Sequence, residues 1–377
     1  MKSKMLKRLK RLCFLSLSVA VFLSSQLGVS ATAPNAEASF VLQDNQTVIR
    51  FSQGDCPNIS PLEVASRNLL ASGFTQDFID NISDDSLVQI AQYDMSIVSV
   101  RYYAEDLTSS SFARGEVESR MIEITADEFI QRSNLNHSSF NRDMITVVDE
   151  NGAILHNPHD ASQFQPFAIT QNVDGGTIQV TTALFGVSGG VLSQFAVISE
   201  FVWTRMPNYR GTDFFGITRD NNTVIIPNAW DHYFAYERSV YFLMAPGGSG
   251  PVMWSYLRTH SHFYNTLRNE DANNPTRGFA IRLNMPRDLI PSFMLAGSSA
   301  NATIYWGARG GVLYQGALQQ PGIVPTHFNH WSTYLHQRGT TWLSSPSISV
   351  PLGASITVSP AGSYSDPIVD TILARWG

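Results

Sequence analysis

Apolar and polar side chains alternate along residues 177–185 and again along 191–203. A period of two sends successive side chains to opposite faces of a strand, so these runs exclude helix and require a sheet partner. Shorter runs of the same kind cover residues 214–218, 223–226, 278–283, 302–306, 347–350 and 355–358, broken by Gly, Pro and Asn turns. Asp220-Asn221-Asn222 lies between two of them and reads as a hairpin turn. Many short strands with turn residues and little helical periodicity predict an antiparallel β-sandwich or barrel-like domain over residues 166–377. All seven tryptophans fall in this part, the first being Trp203.

The region before it, residues 32–165, differs in charge and in pattern. Residues 32–173 hold 20 acidic residues and 7 arginines, whereas residues 174–377 hold 11 acidic residues and 12 arginines. Short helices are expected over residues 61–92. Ser60-Pro61-Leu62-Glu63 is a capping box with proline in the first turn. Leu62, Ala65, Leu69 and Leu70 form one apolar face, and Gly73 supplies the stop. Thr75 opens a second helix with Phe78 and Ile79, and Ser83 a third with Leu87 and Ile90. Three helices this short cannot hold a core alone and must pack on the strands that come after them. Those strands are expected at 97–102, 121–124, 144–148 and 153–155, with a short helix at 127–132. Glu150-Asn151-Gly152 is a hairpin signal between the last two strands.

The first 31 residues read as an export signal. All four lysines lie within the first ten residues, an apolar stretch covers 12–27, and Val29-Ser30-Ala31 fits the small-x-small cleavage rule. The stretch is short and broken by serines, which predicts cleavage and a secreted, extracellular product with no stable membrane anchor. Once the leader is gone, 19 arginines face 31 acidic residues, a balance of about −12. That disfavours a general nucleic-acid partner held by phosphate neutralisation. Cys56 becomes the only cysteine, and no signature of a reactive thiol surrounds it. A membrane-inserting β-barrel is a weaker reading, supported by alternation and opposed by the capped helices.

Two stretches carry a family resemblance. Residues 70–82, with Gly73-Phe74 between two short helices, and residues 200–217, with tryptophan, proline, arginine and aspartate, resemble uncharacterised secreted proteins of Gram-positive bacteria. The resemblance implies secretion and a β-rich second half. It implies no established activity and no catalytic residue.

Candidate chemistry is sparse. Gly186-Val187-Ser188-Gly189-Gly190 matches a nucleophile elbow, but the elbow needs a helix after the serine and the next run alternates like a strand. A hairpin loop is expected there instead. His260 and His262 would share one face of a strand, and His327-x-x-His330, followed by His336, could complete a zinc or other divalent-metal site. Packed or surface histidines are the alternative. The acidic pairs Asp84-Asp85, Glu105-Asp106 and Glu270-Asp271 read as solvated surface and helix N-terminal charge. The aromatic second half fits either a core or a stacking face for a glycan or wall polymer. The function these features favour is a secreted, non-catalytic binding or structural protein. The other class is a secreted hydrolase dependent on serine or on histidine and metal.

Overall fold

The computed structural model describes residues 45–51, 59–108, 118–133, 145–148, 154–156, 175–186, 194–207, 210–244, 254–264, 272–274, 277–289, 299–319, 327–337, 347–349, 355, 357–359 and 367–375. Strand β1 (Gln46–Arg50) precedes helices α1 (Pro61–Ala71), α2 (Gln76–Asn81) and α3 (Asp84–Ile90). Next come strands β2 (Met95–Thr108) and β3 (Glu118–Ile124), helix α4 (Ala126–Ser133), and strands β4 (Ile145–Val148) and β5 (Ile154–His156). Among the described residues of the second half every element is a strand: β6 (Thr177–Gly186), β7 (Gln194–Arg205), β8 (Thr212–Arg219), β9 (Thr223–Met244), β10 (Trp254–Tyr264) and β11 (Ala272–Asn274). It ends with β12 (Gly278–Asn284), β13 (Ser299–Leu318), β14 (His327–Leu335), β15 (Ser347–Ser349), β16 (Thr357–Ser359) and β17 (Ile368–Arg375).

These strands build two main sheets, nearly all antiparallel. The large one runs β1-β2-β6-β7-β13-β9-β10-β4-β5, with β3 also on β2, and the small one runs β11-β12-β8-β14-β17. Both orders are open paths, so the arrangement is a sandwich rather than a closed barrel. The boundary in composition near residue 165 runs between neighbouring strands of one sheet, since β2 pairs with β6. Among the described residues, no helix is long and apolar enough to cross a membrane.

Alternation decides which side chain enters which layer. On β7, Phe195, Val197, Phe201 and Trp203 join the core between the sheets, while Ala196 and Ile198 face the opposite way and join a second core with the helices. The large sheet is thus buried on both faces along its centre, so the alternation expected over residues 191–203 is incomplete: Phe195, Ala196, Val197 and Ile198 are apolar and buried at consecutive positions. The helices form the third layer, with Leu69, Phe74, Phe78, Leu87 and Ile90 packed on Phe185, Ile198, Tyr233 and Leu313. Their caps are the expected residues: Ser60 accepts from the Glu63 amide at 3.3 Å, Thr75 from Phe78 at 3.1 Å and Ser83 from Ser86 at 3.4 Å. Gly73, just past the end of α1, has φ +84°, a conformation that other residues adopt at a cost.

Two local expectations need correction. On α1, Leu70 is exposed and Asn68 is buried in its place, donating to the Tyr93 carbonyl. Asp220-Asn221-Asn222 is a corner and not a hairpin: β8 before it belongs to the small sheet and β9 after it to the large one. The Asp220 carboxylate accepts from the Asn222 amide at 2.9 Å and from the Asn329 amide at 2.7 Å, and Arg219 donates to the Thr223 carbonyl. An Asx turn closes equally well in a hairpin or a corner, so only the pairing of the flanking strands separates them. The other hairpin expectation holds, because β4 and β5 pair antiparallel on either side of residues that lie outside the described ones.

Candidate functional site

Polar side chains at alternate positions of β14, and that of His336 just past its end, point between the sheets. His330 meets Tyr314, Ser332 meets Ser199 at 2.6 Å, Tyr334 accepts from Trp203 Nε1 at 2.8 Å, and His336 approaches Glu105. Each partner belongs to the large sheet, so β14 and the residue just after it reach across four times.

The densest cluster surrounds His336. Its Nδ1 lies 3.0 Å from Asp213 Oδ2, and its Nε2 lies 3.7 Å from Glu105 Oε1, an ion-pair distance rather than a hydrogen bond. Asp213 Oδ2 also accepts from the Tyr334 hydroxyl at 2.5 Å, and Oδ1 from the Gln337 amide at 3.0 Å. Glu105 Oε2 accepts from the Gly176 amide at 3.1 Å. Asp213 and His336 are wholly buried and Glu105 nearly so. Burial by itself pulls the imidazole pKa down, but the flanking carboxylates of Asp213 and Glu105 outweigh it and raise His336 to about 10. The ring is an imidazolium at neutral pH. It has no lone pair to take a proton, so it cannot act as a general base there. Its chemistry is that of a charged cross-link between β2 in one sheet and β8 in the other.

His330 has the opposite character. Burial, helped by the positive charge of Arg219, lowers it to about 3, so the ring is neutral, and its Nδ1 shares a hydrogen bond with the Tyr314 hydroxyl. Tyr314 itself is raised well above 10 by burial and stays protonated. His330 and His336 lie about 20 Å apart along the chain at the usual rise per strand residue, in separate networks. Of the other proposed metal ligands, His260 and His262 sit at alternate positions of β10 in the large sheet, opposite Ser239 and Glu237 of β9. His327 begins β14 in the small sheet. The side chains of these three lie outside the described residues. Among the described residues, no group of three or more His, Cys, Asp or Glu is arranged to hold a metal ion.

A second buried carboxylate faces the helices. Glu200 of β7 accepts from the Thr75 hydroxyl at 2.5 Å, the Thr75 amide at 2.9 Å and the Tyr233 hydroxyl at 2.5 Å. Thr75 is also the N-cap of α2, so the carboxylate sits where the helix leaves an amide unpaired. Beside it, Arg309 pairs with Asp77 at 2.5 Å. The same device recurs at α3, where Asp231 of β9 accepts from the Ser83 amide at 2.8 Å. Burial pushes Glu200 up to about 6, against the pull of its hydrogen bonds and of Arg309. A carboxyl whose folded pKa exceeds its unfolded one gains stability as pH falls, here from about 6 towards 4.5. Relative to Glu200→Gln, the native protein should therefore gain about 2 kcal/mol between pH 7 and pH 4.5. Urea unfolding of both proteins at the two pH values checks this; a constant gap refutes it.

Of the remaining candidates, Ser188 and Cys56 lie outside the described residues. β6 and β7 nevertheless pair antiparallel on either side of the Ser188 segment, so a strand stands after it where a nucleophile elbow needs a helix. Glu105, expected at the surface, is buried; Asp84 and Asp85 do lie in the first turn of α3, and Glu270-Asp271 fall outside the described residues. Trp203 is buried in the core, and Trp230 is half-buried against Phe279. Sequence reasoning did not find Glu105, Asp213 or Glu200 as members of networks. A lone acidic residue within an apolar alternating run, such as Glu200, is the signal that was present. No protein-family model matches the chain, and no curated protein matches it.

Proposed function

We propose that the chain is a secreted, non-catalytic binding or structural protein that works at an extracellular surface or polymer. The observation that carries this reading is the state of His336. The histidine most like a catalytic one is an imidazolium buried between Asp213 and Glu105, spent on joining the two sheets. The other buried carboxylate cluster, at Glu200, holds a helix to the sheet. Such networks favour a rigid scaffold whose working surface lies outside the core. The export signal over residues 1–31 and the acidic balance supply the location and disfavour nucleic acid.

The test pairs a chemical probe with the location. Protein recovered from culture medium should begin within residues 32–39 and take no label at Ser188 from a fluorophosphonate. A labelled Ser188 would move the assignment to a secreted hydrolase, and an intact Met1 in the membrane fraction would overturn export.

A further inference from the structure

His330 lies beside the point where the chain crosses between the sheets. Residues 220–222 carry the chain from β8 in the small sheet to β9 in the large one, and β14 is fastened to that corner. The Asp220 amide donates to the Asn329 carbonyl at 3.1 Å, and the Asn329 amide donates back to Asp220 Oδ2 at 2.7 Å. His330, the next residue on β14, is wholly buried. Its ring lies 5.3 Å from that of Phe195 on β7 and 5.7 Å from that of Tyr314 on β13, whose hydroxyl is bonded to its Nδ1.

Arg219 of β8 faces this ring with a positive charge. The guanidinium is held in place, because it donates to the carbonyls of Asp220 and Thr223. Asp220 supplies a negative charge that acts on the Tyr314 hydroxyl, and its two oxygens accept from the Asn222 and Asn329 amides. Phe195 on β7, and Ile372 opposite His330 on β17, do not titrate. A proton added to His330 therefore sets a second cation beside a fixed one, in a site closed to solvent. Asp220, a carboxylate that can answer such a cation, is also the group that fastens β14 to the corner.

We propose that His330 is an acid-sensitive release: on gaining a proton it draws Asp220 off the Asn222 and Asn329 amides and frees β14 from the β8–β9 corner. The folded pKa of about 3 lies below the unfolded value of about 6.5. The contribution of the neutral ring is thus fully present above pH 6.5 and is lost as pH falls towards 3. Glu200 acts with the opposite sign over part of that range, so a local readout is needed. The release does not depend on what the surface binds, and either reading can fail alone.

Hydrogen exchange of the native protein at pH 7 and pH 4.5 tests it, with the buried Val197 of β7 as the reference. After correction for intrinsic exchange rates, protection of the Asp220 and Asn329 amides should fall roughly 70-fold relative to Val197, as the folded and unfolded values require. His330→Gln, which keeps a polar group for Tyr314 and cannot titrate, should abolish the difference. Nitrogen NMR of the native protein should show the His330 ring still neutral at pH 5, a readout that stands even if the variant does not fold. Equal loss of protection at all three amides, or no loss at Asp220 and Asn329, would overturn the proposal. So would a ring that titrates near pH 6.5 while the fold persists.

Discussion

Asp213→Ala should lower the unfolding free energy by about 3–5 kcal/mol, the cost of removing one partner from a buried ion pair. The substitution strands the His336 imidazolium, the Tyr334 hydroxyl and the Gln337 amide inside the sandwich, where water cannot replace the lost acceptor. The loss should also depend on pH with a definite sign. The folded pKa of His336, about 10, lies above the unfolded value of about 6.5. The stabilisation is therefore fully present below about pH 6.5 and disappears as pH rises through 10. Urea unfolding of the native protein and of Asp213→Ala at pH 6, 8 and 10 should show the gap narrowing towards the alkaline end. A gap that stays constant or widens would mean that His336 is not held as a cation.

Phe78→Ala should cost about 3–5 kcal/mol and should lower the stability of the whole sandwich, not of the helices alone. Phe78 is fully buried on α2, packs edge-on against Tyr233 at 5.7 Å and lies 5.2 Å from Phe74. Below it is Gly311 of β13, where a Cβ atom would come within 2.6 Å of the ring. The ring fits because the sheet has no side chain there, so Gly311→Val should destabilise the same contact by overpacking. Far-ultraviolet circular dichroism and tryptophan fluorescence should give coincident unfolding transitions in the native protein and in both variants. A helical transition that separates from the tryptophan signal would show the helical layer to be a separate cooperative unit. Trp203 reports on the core between the sheets, on the far side of the large sheet from Phe78, which is why the comparison discriminates.

Much of this architecture is local and therefore legible in the chain. Ser60, Thr75 and Ser83 cap their helices because a hydroxyl two or three residues before an unpaired amide satisfies it whatever the surroundings. Gly73 ends α1 for an equally local reason, its positive φ. The strand patterns of residues 177–185 and 191–203 marked β6 and β7 as strands before any partner was known. Less legible was β14, whose inward positions are His330, Ser332 and Tyr334, followed by His336 just past its end, so that its buried face reads as polar. Glu105 escaped for a related reason: an acidic residue next to Asp106 has the appearance of surface until its partner is known, and that partner lies 231 positions away.

The sequence by itself determined where the first three helices begin, that β6 and β7 are strands, and that the chain carries an acidic region before an aromatic one; β10, β14 and β17 were not read from it. These features come from φ and ψ preferences, caps and hydrophobic period, all of which act within a few residues. Only the tertiary structure decided that the turn at Asp220 passes from one sheet to the other. It also set the helices on the outer face of the large sheet through Glu200 and Asp231, and it made His336 a cation and His330 neutral. The physical reason is that desolvation and charge pairing depend on neighbours brought together from distant parts of the chain. Two imidazoles six residues apart, one on β14 and one just past its end, differ in charge because one meets two carboxylates and the other meets a phenol and an arginine.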